Sequence, residues 1–315
     1  MQTAEFYRLL LFVSVVGTVY ILAAASGVRW LLYKLGHRPL SLSPGQVRSQ
    51  RAVLGLALIG SLCIAYGYFI EPYWPSVTHV QIKTSELAPG SRPVRIAHIS
   101  DVHSDPQPRL EDRLPGLIAE QKPDLIVFTG DSINSLAALP VFKRCLTNLA
   151  AIAPTFAVKG NWDARAWRRL DLFSGTGVRE LDGEAVAVDV GGVSVWVTGV
   201  AVEHEERLEQ AVSAIPSGAL IVFLYHSPDL IREVSQQKVD LYCAGHTHGG
   251  QVALPFYGAL ITLSKFGKQY EAGLYRVSQT WLYVNRGIGM EGGGAPRVRF
   301  CARPEITVIK IMPES

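Results

Sequence analysis

Residues 94–103 read VRIAHISDVH, a largely apolar run that ends in a polar cluster. The run is rich in β-branched and aliphatic residues, as expected of a buried strand, and Asp101 and His103 follow directly after it. In α/β proteins, ligands bind outside the carboxyl ends of the strands. This stretch therefore predicts a buried strand whose end presents a carboxylate and an imidazole to one site.

Four further strand-like runs end in polar residues of the same kind. The runs and their polar residues are 124–128 with Asp131, 155–158 with Asn161, 220–224 with His226, and 241–244 with His246 and His248. Apolar residues at helical spacing fill 109–121, 140–151 and 205–215, and residues 185–200 indicate a β-hairpin around Gly191 and Gly192. This alternation predicts an α/β fold of two packed β-sheets flanked by helices.

The seven polar side chains at these strand ends are of types that bind metal ions. Carboxylate, imidazole and amide oxygen together suit Mn, Fe or Zn better than a soft thiolate site does. The four cysteines are widely spaced without a CxxC pair, so neither a zinc ribbon nor a disulfide framework is indicated. A lone Asp-x-His is usually a surface turn, but five such motifs in order, each at a strand end, indicate one metal site.

The order D-x-H, G-D, G-N-x-D, H and G-H-x-H resembles the calcineurin-like metallophosphoesterase superfamily, over residues 96–248. Residues 245–251, 286–289 and 299–306 look like a membrane-associated branch of it, which includes enzymes that hydrolyse UDP-2,3-diacylglucosamine in lipid A synthesis. The resemblance implies a four-layer α/β/β/α sandwich and a metal-dependent hydrolase of phosphodiesters, pyrophosphates or phosphomonoesters.

The resemblance also implies two divalent metal ions (Mn, Fe or Zn), held by seven residues. One metal would take Asp101, His103, Asp131 and His248, and the other would take Asp131, Asn161, His226 and His246. Asp131 would bridge the two, because one carboxylate has two oxygens. Two cations about 3.5–4 Å apart can hold a hydroxide that attacks phosphorus directly, without a covalent enzyme intermediate.

Trp162 departs from the superfamily pattern. Many members carry His at this position, and that His is thought to protonate the leaving group or to stabilise the transition state; an indole cannot act as an acid near neutral pH. The substitution favours a leaving group that needs little protonation, and it leaves structural packing or stacking on the substrate open as roles for Trp162. Arg286 is a second candidate substrate residue, since Arg suits bidentate phosphate contact. The apolar run 252–261 fits either a core strand or an apolar lip beside the metals.

Two runs without a charged residue, 9–28 and 52–70, lie near the N-terminus. Each has about the 20 residues that a hydrocarbon core of about 30 Å requires. A signal peptide could account for the first run, and a buried hairpin of a soluble protein could account for both. The presence of two long runs in succession disfavours both alternatives. We expect a transmembrane helical hairpin over residues 1–76 and a catalytic domain over residues 77–315.

The positive charges are concentrated between the two runs, at Arg29, Lys34, Arg38, Arg48 and Arg51. Before the first run there are only Arg8 and the amino terminus, offset by Glu5. Lys and Arg bias short loops toward the cytoplasm. The distribution predicts a cytoplasmic connector and an extracytoplasmic catalytic domain, held at the cell membrane.

The net charge of +3 over 315 residues does not indicate a nucleic-acid partner. The leading function is a membrane-anchored phosphoesterase acting on a lipid-linked or membrane-proximal substrate. An alternative is a UDP-2,3-diacylglucosamine pyrophosphate hydrolase of lipid A synthesis, which Trp162 favours and the charge distribution opposes, because that nucleotide sugar is cytoplasmic. A non-catalytic membrane scaffold is disfavoured, because all seven ligand positions are filled. The sequence determines neither the physiological substrate nor the oligomeric state.

Overall fold

The computed structural model describes residues 2–36, 42–292 and 296–314. Two long helices, α1 (Thr3–Lys34) and α2 (Pro44–Phe69), form the N-terminal part and contact each other, with the Tyr20 and Ser61 hydroxyls 3.1 Å apart. Ser43 caps α2 by accepting from the Gln46 N–H, and Pro44 lies in the first helical turn, where a missing N–H costs nothing. Both helices are long and apolar enough to cross a membrane. Of the predicted connector cations, Arg38 lies outside the described residues.

The strands form two six-stranded sheets and one short ribbon. In chain order they are β1 (Ser76–Thr84), β2 (Val94–Ile99), β3 (Leu125–Phe128), β4 (Thr155–Ala157), β5 (Arg179–Glu180), β6 (Ala185–Val190), β7 (Val193–Gly199), β8 (Leu220–Leu224), β9 (Leu241–Ala244), β10 (Ala253–Leu254), β11 (Gly258–Ala259), β12 (Gly273–Val277), β13 (Thr280–Val284) and β14 (Glu305–Pro313). The first sheet has the order β1-β14-β2-β3-β4-β5, and the second has the order β12-β13-β9-β8-β7-β6. Strands β2 to β5 are mutually parallel, as are β7, β8, β9 and β13, so their carboxyl ends meet at one edge of each sheet.

In the described part of the chain, five further α-helices follow α2. They are α3 (Leu114–Ala119), α4 (Leu139–Ala150), α5 (Asn161–Ala166), α6 (Leu208–Ser213) and α7 (Ile231–Val234). Residues of α3, α4, α6 and α7 pack on the outer faces of the sheets. Successive residues of a strand point to opposite faces, so Ile96 packs between the sheets while Ala97 packs under the helices. Three buried apolar clusters result, one between the sheets and one under each helical layer. The predicted fold class, two packed sheets flanked by helices, is confirmed.

Two of the predicted helices are shorter than the apolar pattern indicates. Residues 109–113 form turns, because the Glu111 carboxylate accepts from the N–H groups of Arg109 and Leu110. Helix α3 therefore begins only at Leu114, the residue before Pro115. In place of one helix over 205–215, the chain forms a 3₁₀ segment (Val202–Arg207) followed by α6. Within the 3₁₀ segment, His204 has a non-helical backbone conformation (φ −130°). The hairpin at 185–200 forms as expected, from β6 and β7.

The two helices α1 and α2 contact the catalytic part of the chain through buried carboxylates. Glu5 is fully buried, and its Oε1 accepts from both the N–H and the hydroxyl of Thr262, each at 2.8 Å. At the far end of α2, Glu71 accepts from the N–H groups of Cys301 (3.0 Å) and Ala302 (2.6 Å). The start of α1 and the end of α2 therefore lie against the same part of the molecule.

Candidate metal centre

The segments after β2, β3, β8 and β9 bring six of the seven predicted side chains together at the carboxyl edge of the two sheets. The seventh residue, Asn161, follows β4 and precedes Trp162, whose N–H donates to Asp131. The structure contains two groups of potential ligand atoms. Within each group, all the atoms lie within 4.8 Å of one another. The groups are Asp101 with His103 and His248, and Asp101 with Asp131 and His226. All five of these residues are buried.

The backbone at the centre is strained in a consistent way. Five of the seven residues adopt the left-handed region, which residues other than glycine rarely occupy. These are Asp101 (φ 49°), His103 (41°), Asp131 (60°), His246 (73°) and His248 (52°). Such strain persists only where the surrounding structure holds it, and it is concentrated at functional sites.

Asp131 lies at the middle of the centre. Its Oδ1 accepts from the Trp162 backbone N–H at 2.8 Å. Its Oδ2 lies 3.5 Å from His103 Nε2 and 3.4 Å from His226 Nε2. One oxygen is thus bonded to the backbone and the other faces two imidazoles. The close approach requires Gly160, since a Cβ there would lie 2.2 Å from Asp131 Oδ1.

The histidines have fixed orientations. His226 Nδ1 donates to the Thr129 carbonyl at 2.7 Å, which turns Nε2 toward the centre, 3.1 Å from His246 Nδ1. His248 Nε2 lies 3.3 Å from Asp101 Oδ1. A metal-binding imidazole usually has its second nitrogen bonded to a carbonyl or carboxylate in this manner.

Two buried polar atoms of the centre have no hydrogen-bond partner among the described residues: His103 Nε2 and Asn161 Oδ1. Leaving such atoms unpaired costs about 1–3 kcal/mol each, so buried atoms of this kind normally have a partner. Both atoms belong to the predicted ligand set, and both can bind a cation directly. The residues present therefore fit divalent metal ions.

The charges of the centre favour bound positive charge. Burial by itself lowers the pKa of His226, but the carboxylates of Asp131 and Asp101 outweigh it and raise that pKa to about 10. Burial raises the pKa of Asp101, but the neighbouring histidines, His248 foremost, outweigh it and hold that pKa well below its usual range. In contrast, burial dominates at His103 and lowers its pKa to about 4. A divalent cation can replace the proton on an imidazole in such surroundings.

Asn134 and Asp163 hold the ligands in place, and the motif pattern did not single out Asn134. Asn134 Oδ1 lies 3.2 Å from His103 Nδ1, and its amide nitrogen donates to the His103 carbonyl at 2.9 Å. The fully buried Asp163 accepts from the N–H groups of Asp131, Ser132 and Gly160. Burial and the charge of Asp131 raise the Asp163 pKa to about 6. The sequence signal for Asn134 was its position three residues after Asp131.

The two candidate substrate residues differ in their surroundings. The Arg286 guanidinium lies 3.1 Å from Glu305 Oε1 and 3.1 Å from the Ser76 hydroxyl, so part of its donor capacity is taken up by the protein. The Trp162 ring meets the His103 ring edge to face, with centroids 6.1 Å apart. Its indole N–H is buried and has no partner among the described residues.

A buried arginine, Arg299, is a further residue that sequence reasoning did not assign. It is fully buried and donates to the carbonyls of Gly289, Arg286 and Ala302. The loop that it holds crosses the centre, where the Gly289 N–H donates to the Asp101 carbonyl at 2.7 Å. Arg299 therefore supports the backbone on which Asp101 stands.

Comparison with known proteins agrees with this centre. Residues 94–250 match the family model for calcineurin-like phosphoesterases. The metallophosphoesterase YkuE of Bacillus subtilis (strain 168) is 30% identical over 292 residues, covering 83% of this chain and 95% of YkuE. The phosphodiesterase YaeI of Escherichia coli (strain K12) is 27% identical over 257 residues, covering 78% of this chain and 92% of YaeI.

A shorter similarity concerns the UDP-2,3-diacylglucosamine pyrophosphatase LpxG of Chlamydia trachomatis (serovar D). It is 34% identical over 100 residues, which cover 30% of this chain and 29% of LpxG. The similarity to YkuE, in contrast, extends over nearly the whole of that relative, and residues 94–250, which match the family model, include both buried ligand groups. The chain belongs to the calcineurin-like phosphoesterase family and is a phosphoester hydrolase.

Proposed function

We propose that this chain is a membrane-anchored phosphoesterase that uses two divalent metal ions to hydrolyse a lipid-linked or membrane-proximal phosphoester. The family fold implies divalent metal ions, and the chain has candidate groups to bind them. The observation that carries the proposal is the pair of buried ligand groups that share Asp101, with Asp131 Oδ2 between His103 and His226. This arrangement supports two adjacent cations better than one.

The family resemblance implies the proposed ligand sets, and the grouping of five of these residues supports them. One cation would be held by Asp101, His103, Asp131 and His248, and the other by Asp131, Asn161, His226 and His246. Asp131 Oδ2, which lies between His103 Nε2 and His226 Nε2, would face the cations while Oδ1 accepts from the Trp162 N–H. When bound, the cations supply a Lewis acid for the phosphoryl oxygens and lower the pKa of water.

Two of the four cysteines, Cys145 and Cys243, do not offer an alternative nucleophile. Cys145 and Cys243 are buried, and burial raises the pKa of the Cys145 thiol to about 12 and that of Cys243 further. A thiolate, the nucleophilic form, is therefore disfavoured at both positions near neutral pH. This supports direct attack by water on phosphorus.

The exposure of α1 and α2 supports the membrane anchor. In the most apolar 18-residue stretch of α1, no residue is buried. In the corresponding stretch of the second helix, only 11% of the residues are buried. The core helix of a soluble protein would be mostly buried, whereas here large apolar side chains such as Leu11 and Ile21 are exposed. In water such a surface would be unfavourable, and a bilayer would cover it.

Metal analysis of the Asp131→Asn variant tests the centre. We expect about two metal ions per chain in the wild type, and loss of both metal binding and hydrolysis of a generic phosphodiester, assayed with Mn, in the variant. The matched control is Asp189→Asn, on an exposed position of β6, which should keep both. Full metal occupancy in Asp131→Ala would count against the bridging role.

A second candidate function is hydrolysis of UDP-2,3-diacylglucosamine. The similarity to LpxG over 100 residues favours it, as does Trp162, since a pyrophosphate leaving group needs little protonation. The charge distribution opposes it, because five cations lie between the two apolar runs and favour a cytoplasmic connector, with the catalytic part on the other side.

A reporter fused after Ser315 separates the two candidates. At this position, we expect a reporter that works only outside the cytoplasm to be active. A reporter that works only in the cytoplasm should be inactive at the same position, because a cytoplasmic connector puts the part after the second apolar run on the other side of the membrane. The same pair of reporters placed in the connector serves as the control and should give the opposite result. The reverse pattern at Ser315 would make the cytoplasmic nucleotide-sugar hydrolase the leading function.

A further inference from the structure

A cavity of about 520 Å³ lies between α1 and the metal centre. Its size falls within the range of small-molecule binding sites, about 300–1,000 Å³. Its lining includes His246 and His248 of the metal centre and apolar residues of two separate segments. These are Leu9, Phe12 and Val13 of α1, and Leu260, Ile261 and Leu263 of the segment after β11.

The cavity lining also includes Thr247, Thr262, Gln251 and Glu291, and the side chains of the first three are bonded to the protein. Thr262 donates through its N–H and its hydroxyl to Glu5. Gln251 donates to the Pro296 carbonyl at 2.7 Å and accepts from the Glu291 N–H at 3.1 Å. Their hydrogen-bonding groups are thus directed to the protein, and the walls contributed by α1 and residues 260–263 present hydrocarbon.

The position of α1 beside this cavity is fixed by specific contacts. Glu5 is fully buried against Thr262, one turn before Leu9. The Gln2 amide also donates to the Lys265 carbonyl at 2.7 Å. These bonds fix the start of α1. The apolar residues of α1 that come next, Leu9, Phe12 and Val13, are thereby held beside the metal centre.

We propose that α1 forms one wall of the substrate site, and that the cavity binds the aliphatic chain of an amphipathic phosphoester whose phosphate lies at the metal centre. The proposal rests on the proposed function, which places phosphate beside the histidines. The walls from α1 and residues 260–263 present hydrocarbon, and burying aliphatic groups against them removes those groups from water. A substrate that contacts both the histidines and these walls carries a charged head and an apolar tail.

The cavity also borders the helix that would contact the bilayer. Val13 lines the cavity and is 55% exposed, on the helix that the proposed bilayer surrounds. A tail can therefore pass from the bilayer into the cavity without crossing water. This route favours a lipid-like ester over a soluble apolar ligand.

Two esters with the same leaving group test the proposal with the full chain in lipid nanodiscs and Mn. We expect 4-nitrophenyl octyl phosphate to have a kcat/KM about tenfold or more above that of 4-nitrophenyl ethyl phosphate, since two buried methylene groups already correspond to about a tenfold change in affinity. Val13→Trp, which fills the cavity, should lower this octyl-to-ethyl ratio toward one. Leu9→Gln, which puts an amide into the same wall, should lower it in the same direction.

The matched control is Leu11→Trp, on an exposed position of α1 that does not line the cavity, and it should keep the wild-type ratio. Binding is read independently by photolabelling with an alkyl phosphonate that carries a diazirine at the end of its chain. Label on residues 9–13 and 260–263 is expected, and label only elsewhere on α1 and α2 would overturn the proposal. Equal use of both esters by the wild type would also overturn it, whereas failure to hydrolyse either ester would overturn the proposed function itself.

Discussion

His103, Asp131 and His226 each keep one polar atom bonded to the protein outside the metal centre. The partners are the Asn134 side chain, the Trp162 N–H and the Thr129 carbonyl. Because one atom of each residue is held, the other is directed inward without a further loss of side-chain freedom. The residue types were evident from the motifs, but their orientation depends on partners about 30 to 100 residues away in the chain.

Trp162 is the residue at which the chemistry of this chain departs from the common pattern. An indole cannot supply a proton to an alkoxide leaving group, so the wild type should cleave activated esters and pyrophosphates well and simple alkyl phosphomonoesters poorly. Trp162→His should narrow this difference by raising the rate on the poor leaving groups, since general-acid help is worth about 10²–10⁴ in rate. Initial rates over a series of leaving groups measure the effect.

Metal content and a second variant control this experiment. Trp162→His should leave metal content unchanged, because Asn161 is the proposed ligand beside it. Trp162→Phe keeps an aromatic ring against His103 without any N–H donor, and it should not narrow the difference between leaving groups. If Trp162→His lowers the rates on all esters alike, packing or stacking is the better account of the indole.

At the scale of elements, the start of α1 and the segment 262–265 form one unit. Glu5→Ala removes the acceptor of the Thr262 N–H and hydroxyl, and an unpaired buried donor costs about 1–3 kcal/mol. We expect amide hydrogen exchange in residues 260–267 to become about tenfold faster or more, measured by mass spectrometry on the full chain in nanodiscs.

Glu5→Gln is the matched variant for this measurement. It keeps an amide oxygen at the same position, so exchange in residues 260–267 should stay closer to that of the wild type. Unchanged exchange in Glu5→Ala would mean that the contact of α1 with this segment does not depend on Glu5.

At the scale of the whole molecule, we expect the part after the two long helices to fold alone. A chain of residues 77–315 should be folded and should hydrolyse small chromogenic phosphodiesters, because the predicted boundary lies in polar sequence. A chain of residues 71–315 should unfold at a temperature several degrees higher, since Glu71 accepts from the Cys301 and Ala302 N–H groups. A pair of such bonds is worth about 1–3 kcal/mol, and each kcal/mol is about 2–4 °C at this size.

Thermal unfolding followed by circular dichroism compares the two chains. Glu71→Ala in the longer chain should remove most of the difference, because it deletes the acceptor and keeps the length. Equal midpoints for the two chains would show that Glu71 does not stabilise this junction. An unfolded 77–315 chain would contradict the division into a helical hairpin and a catalytic domain.

The sequence by itself predicted the fold class, two packed sheets flanked by helices, and the candidate ligand residues. Buried parallel strands are near-continuous apolar runs, so β2, β8 and β9 have the predicted bounds. Polar residues of metal-binding types follow directly after those runs. This position indicated Asp101 and His226 as candidate site residues. Local pattern is sufficient here because strand burial and ligand chemistry are properties of short segments.

The tertiary structure alone decided how these residues are held and what lies beside them. Asn134, Arg299 and Glu5 bond to groups 31, 51 and 257 residues away, among others, and no local pattern encodes such pairs. The left-handed backbone at the ligands likewise depends on the packing of both sheets, because it is unfavourable in isolation. The cavity beside α1 forms only where a helix from the start of the chain meets residues 246–263, and chain folding, not sequence spacing, brings these two segments together.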